Sequence, residues 1–256
     1  IARRASVNYL QRLQHTHAVF DKPPGLRLAW RHFLSFAEAI LDKILALSGA
    51  LAFGKLTISG RESVLPLLEA GRGAVLLTAH IGNLEVCRAL AELQPKLKLN
   101  ILVHSRNAEK FNRLLARSGV GQKVRLIEVS EITPATAMLL NDRLNAGEML
   151  VIAADRVTPG SAKRNCAVPF LGSDAQFPLG PFILAGLMRC PVFLVFCPRR
   201  SDGYHLEFEA FAERIHMPRA QREQALTSYV TRFAQRLEQQ CVQAPLQWFN
   251  FYDFWA

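Results

Sequence analysis

A chain of 256 residues that is half apolar has material for one large α/β domain, or a domain with a helical extension, and lies outside the composition of disordered chains. Lys and Arg outnumber Asp and Glu by 31 to 21, a formal charge of +10 that favours anionic partners: phospholipid head groups, nucleic acid or an acidic carrier protein. The five cysteines form no C-x-x-C pair, and Cys190 and Cys197 lie among apolar residues, which argues against a disulfide or zinc framework and for reduced thiols in a cytoplasm.

Residues 1 to 55 read as an N-terminal helical arm. Arg3, Arg4 and Arg12 surround Val7, Tyr9, Leu10 and Leu13, and Lys22-Pro23-Pro24-Gly25 breaks the arm in two. Over 26–53, Leu34, Ala37, Leu41, Ile44 and Leu45 recur at helical spacing beside Arg27, Arg31 and Lys43. Such an arm either packs on the domain that follows or rests, basic and apolar-faced, on an anionic bilayer. No spanning helix is expected: the stretch 36–53 carries Glu38, Asp42 and Lys43, and 178–198 carries Pro181, Arg189 and Pro191. The N-terminal basic residues are not followed by the apolar run of a signal peptide.

From Ala74 the pattern changes. Strands are predicted at 74–79, 99–104, 124–129, 149–154 and 191–197, with helices at 84–93, 108–117, 133–145 and 179–188 between them. This βαβ succession predicts an α/β domain over 56–256, a largely parallel central sheet flanked by helices. Residues 205–211 alternate like an edge strand with one wet face, and 219–241 form an amphipathic helix through Leu226, Val230, Phe233 and Leu237. The stretch 155–178 reads as the one long irregular loop, at the carboxyl end of a strand where parallel sheets place ligands.

The apolar run Val75-Leu76-Leu77 ends at His80, a turn with Gly82 follows, and a helix is expected to open at Asn83 with Glu85 in its first turn. An imidazole at a strand end and a carboxylate five residues on suit general-base catalysis, because the carboxylate fixes the tautomer and steadies the imidazolium. The spacing alone is common, since His104 and Glu109 repeat it, but only His80 is followed by a glycine turn and a capping residue. Arg156, Lys163 and Arg164 on the long loop share that rim and suit a phosphate or carboxylate.

Other motifs fail. The stretch 49–56 nearly spells a phosphate-binding loop but has Leu56 where Ser or Thr is needed, and no G-x-S-x-G elbow exists. Cys87 reads as a packing residue, and His15 and His17 lack a second cluster of metal ligands in sequence. No zinc-finger, RRM or helix-turn-helix pattern supports nucleic-acid binding.

At HIGNLE (80–85) the chain resembles the lysophospholipid acyltransferase superfamily, whose first block is His-x4-Asp/Glu, and within it the bacterial lipid A lauroyl/myristoyl acyltransferase branch. The resemblance runs from about Arg61 to the C-terminus through AADR at 153–156, VPFLGSDAQFPLGPFILA at 168–185, CPVFLVF at 190–196 and PLQWFNFYDFW at 245–255. It departs at Arg156, where lipid A enzymes usually carry Gln after the block Asp.

This resemblance implies transfer of an acyl group from acyl carrier protein or CoA to a hydroxyl or amine of a lipid or glycolipid, without a cofactor or metal. His80 would be the general base and Glu85 its support; backbone N–H groups near Gly172 or Gly82, or Arg156, would meet the oxyanion. Phe170, Leu171, Phe177, Phe182 and Phe193 would line an acyl tunnel. Substrate contacts are thereby expected from Asn83, Asp155, Arg156, Arg164, Phe170, Gly172, Phe177 and Gly180. The protein would work peripherally at the cytoplasmic face of the inner membrane, or in the cytoplasm. The alternatives are a thioesterase using the same pair, and a nonenzymatic basic binder of anionic membrane or nucleic acid.

Overall fold

A computed structural model of the chain describes residues 1–47, 56–83, 97–103, 123–128, 133–157 and 164–255. Two helices come first, α1 (Ala2–His17) and α2 (Leu26–Leu47), then strand β1 (Leu56–Ser59) and α3 (Arg61–Glu69). Strands β2 (Val75–Thr78), β3 (Leu99–Val103), β4 (Val124–Glu128) and β5 (Met149–Ala153) follow, with α4 (Pro134–Asn145) before β5. Beyond lie β6 (Asn165–Phe170), β7 (Ser173–Pro178), α5 (Gly180–Met188), β8 (Val192–Phe196), β9 (Arg199–Arg200), β10 (Gly203–Ala212) and α6 (Arg222–Gln243).

The sheet runs β1-β10-β8-β2-β5-β3-β4, and the pairs from β8 through β4 are all parallel. The expected α/β architecture is therefore present. Strands β2 and β8 are buried along their whole length, as continuous apolar runs in a two-faced sheet should be. Val75 and Leu77 of β2 face one core with α1, α5, α6 and the β6–β7 hairpin; Ala74 and Leu76 face the other with α3. The expected helices at 84–93 and 108–117 lie outside the described residues.

Two expectations are corrected. Residues 205–211 are not an edge: β10 lies between β8, antiparallel, and β1, parallel. The half of the supposed loop that begins at Asn165 is an antiparallel hairpin, with Phe170 opposite Ser173 across a Leu171-Gly172 turn. Its period-two pattern turns Val168, Phe170, Ala175 and Phe177 inward. Leu171 and Gly172 both have positive φ, 50° and 78°, as a two-residue hairpin turn requires.

The N-terminal helices lie against this body. Tyr9, Leu10 and Leu13 of α1 are buried in the same core as β2 and α6, and the Tyr9 hydroxyl donates to the Pro245 carbonyl at 3.0 Å. Phe33 and Phe36 of α2 pack on Phe251 and Phe249 of the C-terminal segment.

Candidate active site

The parallel register sets His80 beside Asp155. Thr78 is level with Ala153, the Ala154 amide donates to the Thr78 carbonyl, and His80 and Asp155 stand two residues beyond, at the carboxyl ends of neighbouring strands. His80 Nδ1 lies 2.8 Å from Asp155 Oδ1, and the His80 backbone N–H donates to Oδ2 at 3.0 Å. Oδ2 also accepts the indole N–H of Trp248 at 3.0 Å. Asp155 is fully buried, whereas the His80 side chain is 38% exposed.

Burial alone would raise the Asp155 carboxyl, but the His80 charge and the hydrogen bonds from His80 and Trp248 outweigh it and hold the group below its usual value. A carboxylate at Nδ1 places the proton there and leaves the Nε2 lone pair free, which is the state a base needs.

The turn beyond His80 is held on two sides. Gly82 N–H donates to Gln247 and Phe249 N–H to the His80 carbonyl, so 80–82 pairs with the C-terminal segment. On the other side, Asn83 N–H donates to the Cys197 carbonyl at 2.9 Å, just past β8. Gly82 has φ 65°, and a Cβ there would sit 2.0 Å from the Cys197 oxygen, so this approach requires glycine.

A polar cavity of about 200 Å³ adjoins this turn, lined among others by Ser35, Glu38, Asn83, Arg199, Tyr204 and Gln247. Arg199 is shared between Glu38 and Asp42, at 3.5 and 3.6 Å, and the Tyr204 hydroxyl donates to Asp42.

The expected site residues fall into three groups. His80 and Asp155 are in contact, Arg156 is joined to them through Phe249, and Asn83 lines the cavity beside the turn. Arg156 is exposed and donates to the Phe249 carbonyl at 2.6 Å, while Asn83 is 5% exposed with its amide directed at the Ala39 carbonyl and the Tyr204 hydroxyl. Asp155, expected as a substrate contact, has no exposed surface and touches His80 and Trp248.

Phe170 and Phe177, expected as substrate contacts, are buried. Together with Leu171, Phe182 and Phe193 they are at most 5% exposed, because the hairpin, α5 and the sheet turn them into the core, where Phe170 meets Trp248 and Phe182 meets Phe233. Gly172 is the hairpin turn, beside a separate cavity of about 540 Å³ that also touches His17 and Glu238. Gly180 opens α5 with empty space where a Cβ would go, and Arg164 is exposed at the foot of the hairpin. Glu85, Cys87 and Lys163 lie outside the described residues.

Sequence reasoning missed Trp248 and His32. His32, on the inner face of α2, is fully buried; its Nε2 is 2.9 Å from the Trp248 carbonyl and its Nδ1 is 3.0 Å from the Ser6 hydroxyl. Burial lowers its pKa to about 4, although the bond to Trp248 pulls the other way. The signal for Trp248 was its place in the aromatic block 245–255; His32 stood at an ordinary helix position with no motif around it.

Among the described residues no group of three or more His, Cys, Asp or Glu side chains is placed to hold a metal ion, and no helix is long and apolar enough to cross a membrane. No curated protein matches the chain. A family model described as bacterial lipid A biosynthesis acyltransferase matches residues 47–256.

Proposed function

The chain belongs to the bacterial lipid A biosynthesis acyltransferase family and is an acyltransferase; from that premise we propose that it carries an acyl group from a thioester of acyl carrier protein or CoA to a hydroxyl or amine of a lipid or glycolipid, with His80 as general base. The observation that carries this reading is the 2.8 Å contact between His80 Nδ1 and a fully buried carboxylate, behind an imidazole that remains open at the rim of the sheet.

His80 Nε2 takes the acceptor's proton as its oxygen or nitrogen attacks the thioester carbonyl. The tetrahedral intermediate collapses with cleavage of the C–S bond, and the imidazolium returns the proton to the leaving thiolate. Asp155 holds the tautomer and offsets the imidazolium charge. Glu85 enters as the acidic member of the His-x4-Glu block. Arg156 and Arg164 meet anionic parts of the substrates, and the 200 Å³ cavity beside Asn83 offers polar groups to the acceptor.

The arm over 1–55 is proposed to face the membrane through the outer side of α2. Leu26, Trp30, Leu34, Ile40 and Leu41 are 43 to 65% exposed on one stripe, with Arg27 and Arg31 beside it. An exposed apolar stripe bordered by cations suits the surface of an anionic bilayer, here the cytoplasmic face of the inner membrane.

The test compares, by mass spectrometry, lipids from cells carrying the parent protein, the His80→Ala variant or neither. A lipid that gains an acyl mass only with the parent supports the reading and identifies the acceptor. The same acylated lipid formed with His80→Ala rejects His80 as base. Labelled acyl thioester supplied with and without the extracted lipid separates transfer from hydrolysis.

A further inference from the structure

We propose that Trp248 is a positioning residue of the reaction: its indole N–H fixes the Asp155 carboxylate, and through it the tautomer and orientation of His80. The proposal rests on His80 acting as base.

Asp155 Oδ2 receives two donors, the His80 backbone amide and the Trp248 indole, each at 3.0 Å, which leaves Oδ1 directed at His80 Nδ1. Without the indole, Oδ2 would keep the His80 amide as its one remaining donor in a buried space, and rotation about the last bond would more readily exchange the roles of Oδ1 and Oδ2. Two donors on one oxygen thus select one rotamer of the carboxylate.

Trp248 is itself immobilised. Its ring is fully buried, with Tyr9, Phe170 and Phe254 at centroid distances of 5.0, 5.2 and 5.0 Å. Its carbonyl accepts from His32, which needs the proton on Nε2 and so accepts a hydrogen bond from the Ser6 hydroxyl at Nδ1. A buried chain of hydrogen bonds therefore runs Ser6, His32, Trp248, Asp155, His80. The backbone joins the same unit, since the amide of Phe249 donates to the His80 carbonyl at 2.8 Å. A buried indole needs some acceptor for its N–H, and here that acceptor is the carboxylate that faces His80.

The test removes the N–H and keeps the shape. Trp248 is replaced by β-(3-benzothienyl)alanine, in which sulfur stands for the indole nitrogen, and by Phe as an independent second variant. Proton and ¹⁵N NMR of the full chain then follow the ring N–H of His80, assigned by its loss in His80→Ala. The expected result is a His80 Nδ1–H resonance that moves and exchanges with solvent at least about threefold faster, in a protein whose other amide signals are retained.

An unchanged His80 resonance in either folded variant overturns the proposal. The readout needs no substrate, so it fails or succeeds apart from the assignment of His80 as base, which the lipid comparison with His80→Ala decides.

Discussion

Asp155 Oδ1 meets His80 Nδ1 at 2.8 Å because β5 and β2 are parallel neighbours in register, although the two residues are 75 positions apart in the chain. The imidazole and the carboxylate thus both follow the ends of paired central strands. A pair on rigid elements keeps its geometry without substrate, as a base should if it is to act as soon as the acceptor arrives.

Asp155→Asn is expected to cut the transfer rate by about 10²-fold or more, comparable with His80→Ala, while the Michaelis constants move little. An amide in this position offers N–H to Nδ1 and drives the proton of the neutral ring onto Nε2, the atom that must accept one. Initial rates of thiol release and product formation with the identified acceptor measure this. A variant within twofold of the parent would remove Asp155 from the mechanism.

Gly82→Ala is expected to destabilise the protein by about 2–4 kcal/mol or prevent its folding. The cause is local: the residue has φ 65°, and a methyl group would lie 2.0 Å from the Cys197 carbonyl oxygen, on backbone that two strands hold in place. Chemical denaturation of parent and variant gives the difference. Gly180→Ala is the control, since its Cβ meets nothing within 4 Å and should leave stability within about 0.5 kcal/mol.

Much of this fold was legible because buried parallel strands are written as short apolar runs between polar helices. Val75 to Leu77 and the run 192–196 carry that signature, and the end of the first marks His80. The hairpin over 165–178 was hidden by its own composition: Pro169, Gly172 and Pro178 look like a loop, and the alternation of Val168, Phe170, Ala175 and Phe177 is visible only once the turn is located.

The partnership of Asp155 with His80 is a property of strand order rather than of spacing. Nothing in the sequence says that the fifth strand lies beside the second. Trp248 is harder still, as it reaches the site from a segment of the C-terminus that belongs to no strand or helix named above.

Binding to vesicles of phosphatidylglycerol and phosphatidylethanolamine is expected to fall about tenfold or more with Trp30→Glu, and further with Leu34→Glu added. Both side chains stand on the outer stripe of α2, 65% and 46% exposed, so the changes should leave the fold and its melting temperature near the parent's. Co-sedimentation at low and high salt provides the measurement, and the remaining Arg27 and Arg31 should make the residual binding salt-sensitive. Equal binding by parent and double variant would show that α2 does not face the lipid.

Stability should decline on mild acidification through His32. Its folded pKa is depressed to about 4 by burial, against 6.5 for the exposed group, so between those values the unfolded chain binds a proton that the folded chain excludes. The sign is therefore a loss as pH falls from about 6.5 to about 4, reaching roughly 3 kcal/mol, and no further loss from this group below that. Asp155 acts in a separate window: its folded pKa is also depressed, so its contribution is complete above the ordinary carboxylate range and is lost only as pH falls through that range and below. Denaturation at pH 7, 6, 5 and 4 should thus show a slope that His32→Asn flattens between 6.5 and 4, even though that variant is less stable at pH 7 because the Ser6 and Trp248 partners are no longer both satisfied. A variant with the parent's slope would place the acid sensitivity elsewhere, and would mean that protonated His32 is accommodated between α2 and the C-terminal segment.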